Sequence, residues 1–194
     1  MTTHSAARPR RKLMTADELF EFDGWTPEGD KHHELIAGRL IVSEPPGYQH
    51  GQVQMKLAYL LTGHILKHRL GALVAESGSW IARDPDTVVG CDLSFVRADR
   101  LAGIVDVTRY IPFAPDLAVE VRSPGDRKGR EATRVARLVN AGVRLVWHVE
   151  PRKRRATIHA PGVAPEPVGE DGWLDGRDVV PGFACHLRDA LDWW

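Results

Sequence analysis

The 194-residue sequence holds only two cysteines, Cys91 and Cys185. Two thiols cannot make the disulfide framework of a small secreted domain, and they are too few for a cysteine-based zinc site. No uninterrupted apolar run approaches the roughly 20 residues that a membrane helix needs. The basic N-terminus is not followed by an apolar segment, so it does not have the pattern of a secretory signal. We therefore expect a cytoplasmic protein with no membrane association.

The sequence also has no excess of charge, because 26 Lys and Arg residues balance 26 Asp and Glu residues. This balance excludes a polybasic nucleic-acid binder that works through bulk charge, but it leaves a local basic face open. Hydrophobic residues make up 43% and charged residues 27%, which is typical of a globular domain. We expect residues 1–12 to be a disordered basic leader and residues 13–194 to form a single domain.

The order of the predicted elements indicates a mixed α/β or α+β fold. Thr15 and Glu18 have the spacing of a capping box at the start of a short helix, and Ala37-Gly38 is typical of a hairpin turn. Helices are predicted over 15–22, 50–70 and 128–140. Strands are predicted over 33–36, 39–42, 72–82, 88–96, 115–122, 143–149 and 156–159. These elements predict a central sheet flanked by helices.

Two of the predicted strands carry acids where a buried strand is expected to be apolar. In the segment 91–96, alternation places Asp92 and Ser94 on the face opposite the apolar residues. In the segment 115–122, the corresponding face carries Asp116, Glu120 and Arg122. A buried carboxylate is unfavourable unless a cation or hydrogen bonds meet it. Acids on successive strands would repel each other, and a bound divalent metal ion would relieve that repulsion.

Such a pair of acids can serve two different purposes. Carboxylate oxygens, a backbone carbonyl and waters form the ligand set that Mg²⁺ prefers, and the ion can then activate water against a phosphodiester. In the competing interpretation, Asp116 and Glu120 pair with Arg122 or with helix arginines in a purely structural network. The spacing of the residues leaves both interpretations open.

Several segments match the motifs of one bacterial family. They are His33-Glu34-Leu35-Ile36 with Gly38 and Leu40, then His50, Asp92-Leu93-Ser94-Phe95-Val96, Pro115-Asp116-Leu117 with Val119-Glu120-Val121 and Ser123-Pro124, and Ala141-Gly142-Val143 with Trp147, Val149 and Pro151. Together these segments resemble the Uma-type restriction endonuclease family of the PD-(D/E)XK nuclease superfamily. The match runs from about Thr15 to Pro151, and its most specific part is the segment 115–124.

This resemblance implies a restriction-endonuclease-like core, with a mixed central sheet, flanking helices and acids that converge at the sheet edge. It implies that Asp92 and Glu120 bind Mg²⁺ or Mn²⁺ and that Glu34 is an accessory acid. Arg122 falls at the lysine position of the family's Glu-x-Lys pattern, and Arg134 falls at an alternative lysine position on the next helix. DNA is the implied substrate, and a homodimer is compatible with the resemblance.

The sequence departs from the family pattern at the lysine. Arginine stays protonated and cannot act as a base, whereas lysine can, although Arg122 or Arg134 could still stabilise phosphate charge. Lys128 is a further candidate for this role. Cys91 stands where the family usually has proline, but the acid that follows is retained. His50, at the start of the long helix, either faces the site or makes a helix-start hydrogen bond.

We therefore predict a metal-dependent DNA endonuclease that hydrolyses phosphodiester bonds. The basic residues between Arg122 and Arg137 and the run Arg152–Arg155 adjoin the acids, and we expect them to contact phosphates. The alternative is a catalytically impaired nuclease-fold module that binds nucleic acid or a protein partner without cleavage. A third hypothesis is a purely structural interaction protein.

Overall fold

The computed structural model describes residues 12–22, 32–123 and 129–192. Apart from Lys12, the leader predicted over 1–12 lies outside the described residues, as do Lys128 and the last two residues. The helices are α1 (Ala16–Phe20), α2 (Tyr48–His68), α3 (Ala98–Leu101), α4 (Arg130–Asn140) and α5 (Leu187–Leu191). Within the described ranges, no helix is long and apolar enough to cross a membrane.

The strands form a large mixed sheet and two smaller sheets. They are β1 (His32–Ile36), β2 (Arg39–Ser43), β3 (Gly71–Ala75), β4 (Gly78–Ala82), β5 (Thr87–Gly90), β6 (Leu93–Arg97), β7 (Leu117–Val121), β8 (Leu145–Glu150), β9 (Arg155–His159), β10 (Glu166–Gly169), β11 (Trp173–Asp175) and β12 (Ala184–His186). The large sheet has six strands in the order β10-β9-β8-β7-β6-β3. A four-stranded sheet, called the small sheet below, has the order β2-β1-β5-β4, and β11 pairs with β12 in a separate two-stranded sheet. In the large sheet, β7 and β8 are parallel and α4 connects them. This mixed sheet with flanking helices confirms the predicted fold class.

The large sheet lies between α2 and α4. One apolar stripe of α2, including Leu57 and Leu61, packs against the sheet face formed by residues such as Phe95 and Leu117. The opposite face of the sheet packs against α4 through Leu138 and its neighbours. The C-terminal elements β11, β12 and α5 complete the core on the α2 side of the sheet. The sequence pattern predicted no element after residue 159. The sheet is therefore buried on both faces, so a polar side chain on β7 needs a partner.

Local signals in the sequence placed the first elements correctly. Thr15 and Glu18 form the capping box of α1, which confirms that prediction. The turn between β1 and β2 lies at Ala37 and Gly38, as predicted. Gly38 has a φ of +72°, and a Cβ there would lie 2.6 Å from the Cβ of Leu13, so this turn requires glycine.

The prediction of one strand over 72–82 and one over 88–96 was wrong. The chain bends at Glu76, where φ is +55°, so β3 joins the large sheet and β4 joins the small one. It crosses back at Cys91-Asp92, between β5 in the small sheet and β6 in the large one. Alternation of apolar residues continues through the second break, at Val89, Cys91 and Leu93, and conceals it. The first break lies in the polar stretch Glu76-Ser77-Gly78-Ser79, which the prediction included in a strand. The second break places Asp92 where the two sheets meet.

The core on the α2 side predicts a large stability difference between two leucines of one helix. Leu57 is 0% exposed and Leu66 is 68% exposed. We expect Leu57→Ala to lower the free energy of unfolding by about 2–5 kcal/mol because it leaves a cavity. Leu66→Ala, the matched control, is expected to change it by less than about 0.5 kcal/mol. Urea denaturation measures both, and equal losses would contradict the packing described.

Candidate active site

Four of the five residues predicted for the site come together where the two sheets join. Glu34 comes from β1, Asp92 from the crossing between β5 and β6, Glu120 from β7 and Arg134 from α4. The connection between the sheets is direct, because Glu34 Oε1 accepts a hydrogen bond of 2.9 Å from the main-chain nitrogen of Gly90. These side chains therefore belong to one cluster at the sheet edge, as the resemblance implied.

Arg134 connects the acids of this cluster. Its Nε donates to Glu120 Oε2 at 2.6 Å, and its Nη1 donates to both carboxylate oxygens of Glu34 at 2.7 and 2.8 Å. Its Nη2 donates to the carbonyl oxygen of Gly90 at 2.8 Å. Burial lowers the pKa of Arg134, but Glu120 and Glu34 overcome this effect and raise the pKa well above its ordinary value. The guanidinium therefore stays charged and neutralises part of the acidic cluster.

Glu120 keeps one carboxylate oxygen outside this bridge. Among the residues that the structure describes, no nitrogen or oxygen donates to its buried Oε1, although the Cys91 thiol hydrogen-bonds the Glu120 carboxylate. The pKa of Glu120 is raised to about 7. Burial is the largest cause, the positive charge of Arg134 lowers the pKa, and the nearby negative charge of Asp92 raises it further. Burial, followed by the charge of Glu120, also raises the pKa of the adjacent Cys91 thiol, which therefore remains a neutral and weak donor. A buried oxygen without a good donor is well placed to accept a cation.

Asp92 is fixed from two sides. Its Oδ2 accepts a hydrogen bond of 2.5 Å from the main-chain nitrogen of Val121 on β7, and it lies 3.0 Å from His50 Nε2 on α2. Gln54, one turn further along α2, donates to the main-chain oxygen of Asp92 at 2.8 Å. The sequence left the orientation of His50 open, and the structure places it against the acid. Gln54 was missed, although its spacing of four residues from His50 put both on one helix face.

Arg122 and Asp116 have other partners. The Arg122 guanidinium pairs with Glu131 at 2.6 Å and with Glu150 at 3.0 Å. Asp116 is buried at the opposite end of β7 and pairs with Arg100 at 2.9 Å. Asp116 and Glu120 thus each pair with a helix arginine, as the structural interpretation predicted, and Glu120 in addition lies in the candidate site. Of the two predicted arginines, it is Arg134 that pairs with Glu120.

The residues present fit a metal ion held by two carboxylates. Among the residues that the structure describes, no group of three or more His, Cys, Asp or Glu side chains has the arrangement to hold an ion. Glu34 is occupied by Arg134 through both of its oxygens. Asp92 and Glu120 remain, and Mg²⁺ is usually bound through one or two carboxylates while it keeps several waters. The buried Glu120 Oε1 supplies a ligand atom that the protein does not otherwise use.

Comparison with known proteins identifies the family of this chain. The model of the Uma2 family, described as "Putative restriction endonuclease", matches residues 17–188. The chain belongs to the Uma2 family. This membership confirms the resemblance seen in the sequence, and restriction-endonuclease-like proteins generally use divalent metal ions.

A solved structure shows the same fold. It is described as a "putative nuclease belonging to DUF820" from Anabaena variabilis ATCC 29413. It matches with a TM-score of 0.75 and 17% sequence identity, over 92% of this chain and 97% of that chain. No curated protein matches this Uma2-family chain.

The raised pKa of Glu120 predicts that stability depends on pH. In metal-free buffer, Glu120 releases its proton near pH 4.5 when unfolded but only near pH 7 when folded. The folded state thus binds more protons in this window, and the stability gained from protonation is lost as pH rises through 7. Relative to Glu120→Gln, the wild type should lose about 3 kcal/mol of unfolding free energy between pH 4.5 and 7.5. Urea denaturation across this range measures the loss, and a constant difference between the two proteins would contradict the assignment.

The bridge made by Arg134 predicts a second stability effect. Arg134→Met would leave Glu34 and Glu120 buried without their cation, which should lower the free energy of unfolding by about 3–5 kcal/mol. Arg134→Lys keeps a positive charge and should lose less. Arg109→Met is the control, because Arg109 pairs with an Asp17 side chain that is 74% exposed, and exposed pairs contribute about 0–1 kcal/mol. Similar losses in Arg134→Met and Arg109→Met, by chemical denaturation, would show that the bridge is unimportant.

Proposed function

We propose that this chain is a metal-dependent endonuclease that hydrolyses phosphodiester bonds in DNA, with Mg²⁺ or Mn²⁺ as its cofactor. The observation that carries the proposal is the buried and unsatisfied Oε1 of Glu120, beside an Asp92 that is fixed by two other elements. Leaving a buried carboxylate oxygen unpaired is costly, and a cation bound to it would remove that cost. Membership of the Uma2 family supports the same activity.

In this proposal each residue of the cluster has a separate role. Asp92 and Glu120 would hold the ion, and the ion when bound supplies a Lewis acid that stabilises phosphate charge and makes water a better nucleophile. His50 and the main-chain nitrogen of Val121 hold Asp92 in position. Arg134 holds Glu120 through Oε2, so Oε1 is the atom of Glu120 that would hold the ion.

Arg134 is a positioning residue in this proposal. It cannot act as a base because it remains protonated. All three of its nitrogens already donate to Glu120, Glu34 or the Gly90 carbonyl. The position of Arg134 in the family pattern is compatible with direct phosphate contact, but with these donors engaged Arg134 controls Glu120 instead.

The same arginine favours a second candidate function. If the lysine of the family pattern is essential, the chain is a catalytically impaired nuclease-fold module that binds nucleic acid or a protein partner without cleavage. Such a module would bind DNA in a salt-sensitive way, and Glu120→Gln would not weaken that binding.

Cleavage of supercoiled plasmid DNA tests the proposed activity. We expect cleavage with Mg²⁺ or Mn²⁺ and none with EDTA. Asp92→Asn and Glu120→Gln should each reduce the rate by at least about a hundredfold, because each removes a charged ligand of the ion. Asp99→Asn is the matched control and should retain full activity, since Asp99 is 65% exposed and pairs with Arg97.

Calorimetric titration with Mn²⁺ separates the two candidates. A wild type that binds Mn²⁺ through Asp92 and Glu120 and cleaves DNA supports the endonuclease. A wild type that binds DNA but neither binds Mn²⁺ nor cleaves with either ion would contradict it and support the impaired module.

A further inference from the structure

A groove lies beside the acidic cluster, between α4 and the sheet face that carries Glu120. Its volume is about 620 Å³. We call it the α4 groove, and its charged lining residues are Arg122, Glu131, Glu150, Lys153 and Arg155. The function described above leaves it unused.

The α4 groove lies on the same face of the large sheet as Glu120. Glu120 on β7 is the register partner of His148 on β8, and His148 is the partner of Thr157 on β9. Residues opposite each other in paired strands share one face of the sheet. Both His148 and Thr157 line the groove. Glu120, His148 and Thr157 therefore form a row across three strands. Since neighbouring strands are about 4.8 Å apart, this row extends roughly 10 Å from Glu120.

The charge that the groove presents to solvent is positive. Glu150 accepts hydrogen bonds from Lys153 Nζ and Arg155 Nε, both at 2.5 Å, and from Arg122 Nη1 at 3.0 Å. The Glu150 side chain is only 6% exposed, whereas those of Lys153 and Arg155 are 46% and 54% exposed. Burial alone would raise the pKa of Glu150, but its three cationic partners lower it to about 2. A buried carboxylate thus holds the cations in place while they remain accessible.

Only part of the basic run Arg152–Arg155 faces this groove. Lys153 and Arg155 line it, whereas Arg154 pairs with Glu170 and Asp192 on the C-terminal segment. Arg152 is exposed and is not among the lining residues. The arrangement distinguishes basic residues that the sequence pattern treated alike.

We propose that the α4 groove binds the phosphate backbone of DNA on one side of the cleaved bond, through Lys153 and Arg155. The proposal rests on the proposed endonuclease function. A site built on Asp92 and Glu120 repels phosphate when it holds no cation, so neighbouring positive charge must bring the strand to it. Ammonium and guanidinium groups that are already oriented bind phosphate oxygens with charge-assisted hydrogen bonds. With a rise of 3.4 Å per nucleotide, a 10 Å row spans about three nucleotides.

Fluorescence anisotropy with a labelled 30-base-pair DNA duplex, in buffer without divalent metal, tests this proposal. Lys153→Gln and Arg155→Gln should each weaken binding about fivefold or more at 0.1 M salt. Each should also reduce the slope of log affinity against log salt by about one. Arg152→Gln is the matched control, because it removes the same charge from the same turn outside the groove. Lys153→Arg should restore most of the binding, and thermal unfolding verifies that every variant is folded.

The outcomes separate this proposal from the proposed function. If the wild type does not bind the duplex at low salt, or if Lys153→Gln and Arg155→Gln bind as Arg152→Gln does, the groove proposal is wrong. Metal-dependent cleavage by the wild type would still stand in either case. If the groove variants lose binding but the wild type never cleaves, the groove is supported and the endonuclease is contradicted.

Discussion

Arg134 holds the buried carboxylate of Glu120 and the half-buried carboxylate of Glu34 with one guanidinium group, and the site depends on this contact. Through Glu34 it reaches β1 of the small sheet, through Glu120 it reaches β7 of the large sheet, and its own backbone belongs to α4. Its fourth hydrogen bond, to the Gly90 carbonyl, lies where the chain crosses between the sheets. Burying both acids without this cation would be strongly unfavourable. The charge of Arg134 therefore makes an acidic cluster possible inside a folded core.

The geometry of this contact also divides the acids between two tasks. Both oxygens of Glu34 and one oxygen of Glu120 are bound by Arg134, and these groups form the structural part of the cluster. In the proposed function, Asp92 and the second oxygen of Glu120 would hold a metal ion. Arginine suits the structural task because it has five donors and does not lose its proton. The same properties prevent it from acting as the base that a lysine could provide.

Much of this arrangement follows from the sequence, but its pairing does not. Alternation of apolar and polar residues identified Asp92 and Glu120, because a strand has a period of two. The same alternation placed Asp116 and Arg122 on the face of Glu120, yet they pair with Arg100, Glu131 and Glu150. Which cation meets which acid depends on strand register and on the docking of α4, and neither is visible in local patterns. The break at residues 91–92 was missed because apolar alternation continues through it, whereas the break at residue 76 lies in the polar stretch Glu76-Ser77-Gly78-Ser79, which was included in a strand.

The central claim is that Asp92 and Glu120 hold a divalent ion while Arg134 binds only the Oε2 atom of Glu120. Anomalous diffraction from crystals grown with Mn²⁺ tests it most directly, because the signal locates the metal without reference to activity. We expect one strong peak within bonding distance of an Asp92 carboxylate oxygen and of Glu120 Oε1, with Arg134 still bound to Glu120 Oε2. A map with no peak between these two acids, or with manganese bound only elsewhere, would contradict the account.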